Sequence, residues 1–80
     1  MPISAVKVDA IAVDVAITDE RLTIILADGR GLSAPLAWFP RLLEATDVQR
    51  RKWRLIGRGL GIHWPEVDED ISIASLLRAA

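Results

Sequence analysis

The one histidine of this 80-residue chain, His63, stands three residues before Glu66 and five before Asp68, with Asp70 two further on. An imidazole beside carboxylates can serve general acid–base chemistry. With Asp68 and Asp70 it could instead contribute to an oxygen-rich site for Mg²⁺ or Mn²⁺. A solvated acidic turn ahead of the last helix accounts for the same residues with nothing added. Nucleophilic catalysis needs a hydroxyl or thiol, a base, and a third group that orients the base. Ser33, Ser72 and Ser75 lie in no nucleophile-elbow sequence, and the chain has no cysteine. A domain this short also has little depth for a substrate pocket of several hundred Å³. Accordingly no catalytic residue, cofactor or metal is expected, and the protein is read as a non-enzyme.

Gly57-Arg58-Gly59-Leu60-Gly61 suggests a phosphate-binding loop. Such a loop requires a strand before the glycines and a helix after them. The surrounding pattern is the reverse, so these glycines read as a helix stop followed by a flexible turn.

Charge is divided along the chain although the total is only -1. Residues 41–58 hold six basic side chains against Glu44 and Asp47, a balance of +4. Residues 66–70 hold Glu66, Asp68, Glu69 and Asp70 with no base, a balance of -4. The two blocks could pair with each other or face different partners. Arg50, Arg51, Arg54 and Arg58, with Trp53 among them, could grip a nucleic-acid backbone. The acidic sequence pI of about 5.7 weighs against that reading. Trp38, Trp53 and Trp64 are most simply the bulk of the core, since each can bury roughly 150–250 Å². Tryptophan is nevertheless enriched at binding hot spots, and Trp64 is the one nearest the acidic block.

These residues must be carried by a small framework. The length allows a single domain, residues 1–80, with 51% hydrophobic and 26% charged residues. No apolar run approaches the roughly 20 residues of a membrane span, and the N-terminus lacks a signal-peptide layout. With the absence of cysteine, a soluble cytoplasmic protein without membrane contact is expected. From Ile11 to Thr18 apolar side chains recur at Ile11, Val13, Val15 and Ile17, the period of a half-buried strand. Leu22, Ile24 and Leu26 form the inward set of a second strand. Asp28-Gly29 then marks a hairpin turn, and a third strand runs from Arg30 until Pro35 ends it. Ile3–Val8 is expected to add an edge contribution. Pro40 suits the first turn of a short helix reaching Ala45. Thr46-Asp47-Val48-Gln49 has the capping-box form, opening a helix predicted to run to Ile56. On its wheel Val48, Trp53, Leu55 and Ile56 share one side, and Arg50, Arg51 and Arg54 crowd the other. Ile62-His63-Trp64 reads as a short extended segment, Glu66–Asp70 as an acidic loop, and Ser72 as the cap of a last helix carrying Ile73, Leu76 and Leu77. The predicted class is therefore α+β: an N-terminal antiparallel meander, two short helices, an extended segment and a C-terminal helix.

One resemblance is specific. Asp28-Gly29-Arg30, Pro35-Leu36, Trp38-Phe39-Pro40-Arg41-Leu42, Ala45-Thr46, Gln49-Arg50, Trp53, Gly61-Ile62-His63-Trp64-Pro65 and Asp68-Glu69-Asp70-Ile71-Ser72 together resemble the bacterial family catalogued as domain of unknown function 2442. The likeness spans about Val13 to Leu77. It implies a small α+β domain. Some members are fused to a C-terminal helix-turn-helix module, which these 80 residues do not include. Others are encoded beside a small partner and are proposed as antitoxins. The resemblance supplies no catalytic residues. The expected function is thus a protein-interaction module, antitoxin-like, that meets a small basic protein encoded nearby through Glu66, Asp68, Glu69, Asp70 and Trp64. The alternative is a nucleic-acid-associated regulatory module using the basic helix 47–56 through Arg50, Arg51, Arg54 and Arg58. A homodimer is also allowed.

Overall fold

The structure, a computed structural model, describes residues 10–79; the edge contribution expected of Ile3–Val8 lies outside the described residues. Two three-stranded antiparallel sheets, in order β1-β2-β3 and β4-β5-β6, share one core. The first sheet contains β1 (Ala12–Ile17), β2 (Arg21–Leu26) and β3 (Gly31–Pro35). A turn of 3-10 helix at Leu36–Trp38, α1 (Pro40–Leu43) and α2 (Asp47–Arg51) connect it to β4 (Arg54–Ile56), β5 (Gly61–Trp64) and β6 (Glu69–Ser72), and α3 (Ile73–Ala79) closes the chain. This is the predicted α+β class with a second sheet in place of a lone extended segment.

In β2 the expected inward set is fully buried: Leu22, Ile24 and Leu26 are at most 1% exposed. Val15 pairs with Ile24, Ile17 with Leu22 and Ala34 with Leu22, which puts them on the same face. The expected parity of β1 fails at its start. The register shifts between Ala12 and Asp14, where the pairing moves by a single residue on β2. This bulge turns Ala12 into the core and leaves Val13 half exposed. The Asp28-Gly29 turn is present, with Gly29 at φ +94 and its N–H donating to the Leu26 carbonyl at 3.0 Å. Asp28 accepts from the Arg30 backbone N–H at 3.0 Å and from its Nε at 2.9 Å. That side-chain hydrogen bond raises the pKa of Arg30.

Helix α2 opens on the predicted capping box, with Thr46 and Gln49 each bonding the other's backbone N–H. It does not run to Ile56, however. It stops at Arg51, and Arg54–Ile56 forms β4, with Arg54 opposite His63, Leu55 opposite Ile62 and Ile56 opposite Gly61. A helix of one to two turns gains little by itself, whereas pairing with β5 satisfies the same backbone groups in a ladder. The supposed flexible glycine connector is the hairpin link between these strands. Gly59 is buried there at φ +90, and a Cβ on it would come within 2.7 Å of the Ala12 carbonyl oxygen. Only a glycine lets the second hairpin lie this close to β1. The acidic loop is likewise shorter than expected, because Glu69 and Asp70 belong to β6. Ser72 caps α3 as expected, its Oγ accepting from the Ser75 N–H at 3.2 Å.

The core joins β2 to Ile62, Trp64 and Ile71 of the second sheet and to Leu36, Leu42, Ile73 and Leu76. Trp64 is fully buried, Trp53 is partly buried against this cluster and Trp38 is 51% exposed. Of the three tryptophans expected in the core, one forms its centre.

Candidate interaction surface

Arg50 is the first correction to the expected site. It is 8% exposed rather than part of a solvated basic face. Its guanidinium donates to the carbonyls of Leu42 and Leu43, both at 2.9 Å, and to Asp19 Oδ1 at 2.9 Å. Both carbonyls stand at the C-terminal end of α1, where carbonyls run out of helical donors, although the Leu42 carbonyl also accepts from the Ala45 N–H at 3.2 Å. Its own carbonyl accepts from Trp64 Nε1 at 3.1 Å. Arg50 therefore ties α1, α2, the β1–β2 loop and β5 together, and offers no surface to a nucleic acid. Trp64, expected to meet a partner, spends its indole on this hub and offers none either. Arg51, Arg54 and Arg58 remain exposed.

The acidic and basic blocks do pair in part. Lys52 Nζ lies 2.8 Å from Glu66 Oε2. Arg41 Nη1 donates to the Asp68 carbonyl at 2.5 Å and lies 3.7 Å from its carboxylate. Glu66 and Asp68 are thus tied to the fold's own cations, although contacts this exposed are worth roughly 0–1 kcal/mol each. Asp68 sits at φ +53, a left-handed turn conformation that aspartate tolerates better than most residues.

Beyond that turn, the outer face of the second sheet carries a straight cross-strand row: Arg54 on β4, His63 on β5 and Asp70 on β6. His63 Nδ1 is bonded to Asp70 Oδ1. The next row is Ile56, Gly61 and Ser72. Above the missing side chain of Gly61 lies a depression of about 290 Å³ walled by Ile56, Leu60 and Ser72. Leu60 is 63% exposed. Asp68 does not join the His63–Asp70 pair, and no group of three His, Asp or Glu side chains converges to hold a metal among the described residues.

The edge of β6 borders a cleft of about 470 Å³ whose lining also includes Trp38 and Phe39. Ser75 and Leu76 of α3 form part of its lining. Glu69 and Asp70 are its charged lining residues. Glu69 Oε1 accepts from the Asp70 backbone N–H at 3.1 Å, so a donor on this strand edge is already occupied. Such self-capping discourages a partner from adding a fourth strand. The cleft brings together Trp38, Phe39, Glu69 and Asp70. Sequence reasoning missed Trp38 and Phe39. Their neighbour Pro35 ends β3 and Pro40 starts α1, and a stretch confined between two prolines is where an aromatic side chain can be left outside the core. A second cleft, of about 570 Å³, runs between Val15–Asp19 and α2 and includes Arg51 and Trp53.

The described residues thus form a small α+β domain of two meander sheets, with surface clefts and a charged cross-strand row. The chain belongs to the family described as "Protein of unknown function (DUF2442)", whose model matches residues 12–80. Among solved structures it is similar to a protein of unknown function from Rhodospirillum rubrum ATCC 11170, with 25% sequence identity, a TM-score of 0.72 and 86% of each chain covered. No curated protein matches. No helix among the described residues is long and apolar enough to cross a membrane.

Proposed function

We propose that this protein is a non-enzymatic interaction module that receives a basic, apolar-tipped segment of a partner protein in the cleft between Trp38 and β6. The observation that carries this reading is the exposure of Trp38, a large apolar side chain left half in solvent, in a cleft whose lining includes the acidic residues Glu69 and Asp70. An indole in such a place loses water on docking, the pattern of a binding hot spot. Glu69 and Asp70 favour a cationic neighbour and orient its approach. Within this class the finer reading is antitoxin-like, a small acidic-sided domain covering a small basic protein encoded nearby. It is supported by what the family resemblance implies and by the same charge complementarity.

The test is selection from a displayed library of random short peptides against the purified protein. Selected peptides are expected to combine Lys or Arg with an aromatic or branched aliphatic residue, and to lose at least about tenfold in affinity to the W38A variant. Peptides without basic residues, or binding unchanged in W38A, would contradict the proposal.

A second reading rests on a different observation. Arg51, Arg54 and Arg58 have no carboxylate within ion-pair distance among the described residues, unlike Arg30, Arg41, Arg50 and Lys52. Unpaired cations are what a phosphate backbone needs. This nucleic-acid reading requires binding of a random single-stranded oligonucleotide that weakens steeply as salt rises. No mobility shift at low salt eliminates it.

A further inference from the structure

The outer face of the second sheet has a property that the Trp38 cleft does not use: it is complementary to itself. Its charged row runs from a cation on one edge strand, Arg54, through His63 on the central strand, to an anion on the other edge strand, Asp70. Arg54 has no ion-pair partner among the described residues, and the Asp70 side chain is 65% exposed although it bonds His63. Beside this row lies an apolar half, with Ile56 39% and Leu60 63% exposed around the hollow over Gly61.

An interface between two identical copies about a two-fold axis must bring residue i against j and j against i. Here a two-fold axis parallel to β5, lying between two sheets stacked face to face, sets β4 of each copy over β6 of the other. Each Arg54 then faces the Asp70 of the second copy, twice per dimer, and the two apolar halves coincide. Gly61 and His63 lie nearest the axis. Gly61 has no side chain to obstruct the approach, and His63, only 19% exposed, is held towards Asp70. Stacked sheets normally pack about 10 Å apart with strands roughly aligned, which this arrangement satisfies.

We infer that this face is the contact surface of a homodimer, with a second copy of the chain as its occupant and reciprocal Arg54–Asp70 pairs as its register. Its area puts it at the small end of protein interfaces, below roughly 1,200 Å² in total. The dimer is therefore of the weak kind, populated as concentration rises. It shares Asp70 with the peptide cleft but does not use Trp38, so W38A dimerises as the unaltered chain does.

Sedimentation equilibrium between about 10 μM and 1 mM tests it. The unaltered chain dimerises over this range. R54E and D70R each bring like charges together twice in their own dimer, and each weakens self-association by about tenfold or more. Mixed together, the two variants restore both attractive pairs and associate with each other. L60E, at an exposed position outside the charged row, also dissociates the dimer and covers the case in which a charge variant folds poorly. A chain that stays monomeric at 1 mM overturns the inference. So do single variants that dimerise normally, or well-folded variants that fail to associate on mixing.

Discussion

On the first sheet, the charged and polar side chains of the outer face bond each other, beside an Ile25 that is 39% exposed: Arg21 Nε donates to Ser33 Oγ at 2.8 Å, and Thr23 lies beside the same hydroxyl at 3.5 Å. On the second sheet, the outer face leaves Arg54 without an ion-pair partner among the described residues, beside an exposed Ile56 and Leu60. Both sheets bury their inner faces in one core, and both blunt an edge with a carboxylate. Asp14 Oδ1 accepts from the Val15 N–H at 2.8 Å, much as Glu69 does for Asp70. The contrast is therefore not in how the sheets are built but in what they leave unsatisfied. On the proposed reading the first sheet is framework, and the second, with Trp38 beside it, carries the groups that meet other molecules.

The largest effects should come from the hub that joins the two sheets. Trp64→Ala empties a fully buried site and is expected to lower stability by about 3–5 kcal/mol in urea or thermal unfolding. Arg50→Met removes the guanidinium donors to the carbonyls of Leu42 and Leu43 and the ion pair with Asp19, and is expected to cost about 3 kcal/mol. A smaller effect on the same hinge between sheets is expected of Gly59→Ala, which forces a Cβ against the Ala12 backbone at positive φ. It should cost roughly 2 kcal/mol or more. Near-neutral stability at any of these positions would mean that the sheets are held together elsewhere.

Smaller stability effects sharpen the division between framework and surface. Trp38→Ala should change unfolding by no more than about 0.5–1 kcal/mol, because its side chain is half exposed, while abolishing peptide capture. Arg21→Ala on the first sheet should change stability by less than about 0.5 kcal/mol and leave both peptide binding and self-association unaltered. If Arg21→Ala weakened either interaction, the first sheet would also be a working face.

Much of the framework is legible in the residues, because it is set locally. The period of two in Leu22–Leu26, the Asp28-Gly29 turn and the Thr46–Gln49 box each specify a conformation from neighbours within a few positions. What is not legible depends on distant partners. Helical periodicity across 47–56 cannot register that Arg54–Ile56 meets a strand beginning at Gly61. The signal available was the pair of short apolar runs flanking the glycines, which is also a hairpin pattern. Arg50 looks like its neighbours Arg51 and Arg54 in a basic cluster, yet its partners lie at Asp19 and in α1, 31 and 7–8 residues away. The bulge at Ala12–Asp14 reverses a parity that the apolar pattern of β1 states plainly. For the surface, the acidic block was visible as composition. Its division between Glu66 and Asp68, paired to cations, and Glu69 and Asp70, facing Trp38, appears only once the chain is folded.

The division between the sheets is tested most directly by an ¹H–¹⁵N NMR titration with a peptide rich in Lys and aromatic residues. The three tryptophan indole N–H groups report separately. Trp38 stands in the cleft, Trp53 near Arg51 and Trp64 in the core. Shifts concentrated at the Trp38 indole and the backbone of Glu69–Leu76, with the Trp64 indole and β1–β3 unmoved, are the expected result. Shifts centred on Trp53 and Arg51, or spread across the outer face of the first sheet, would contradict it.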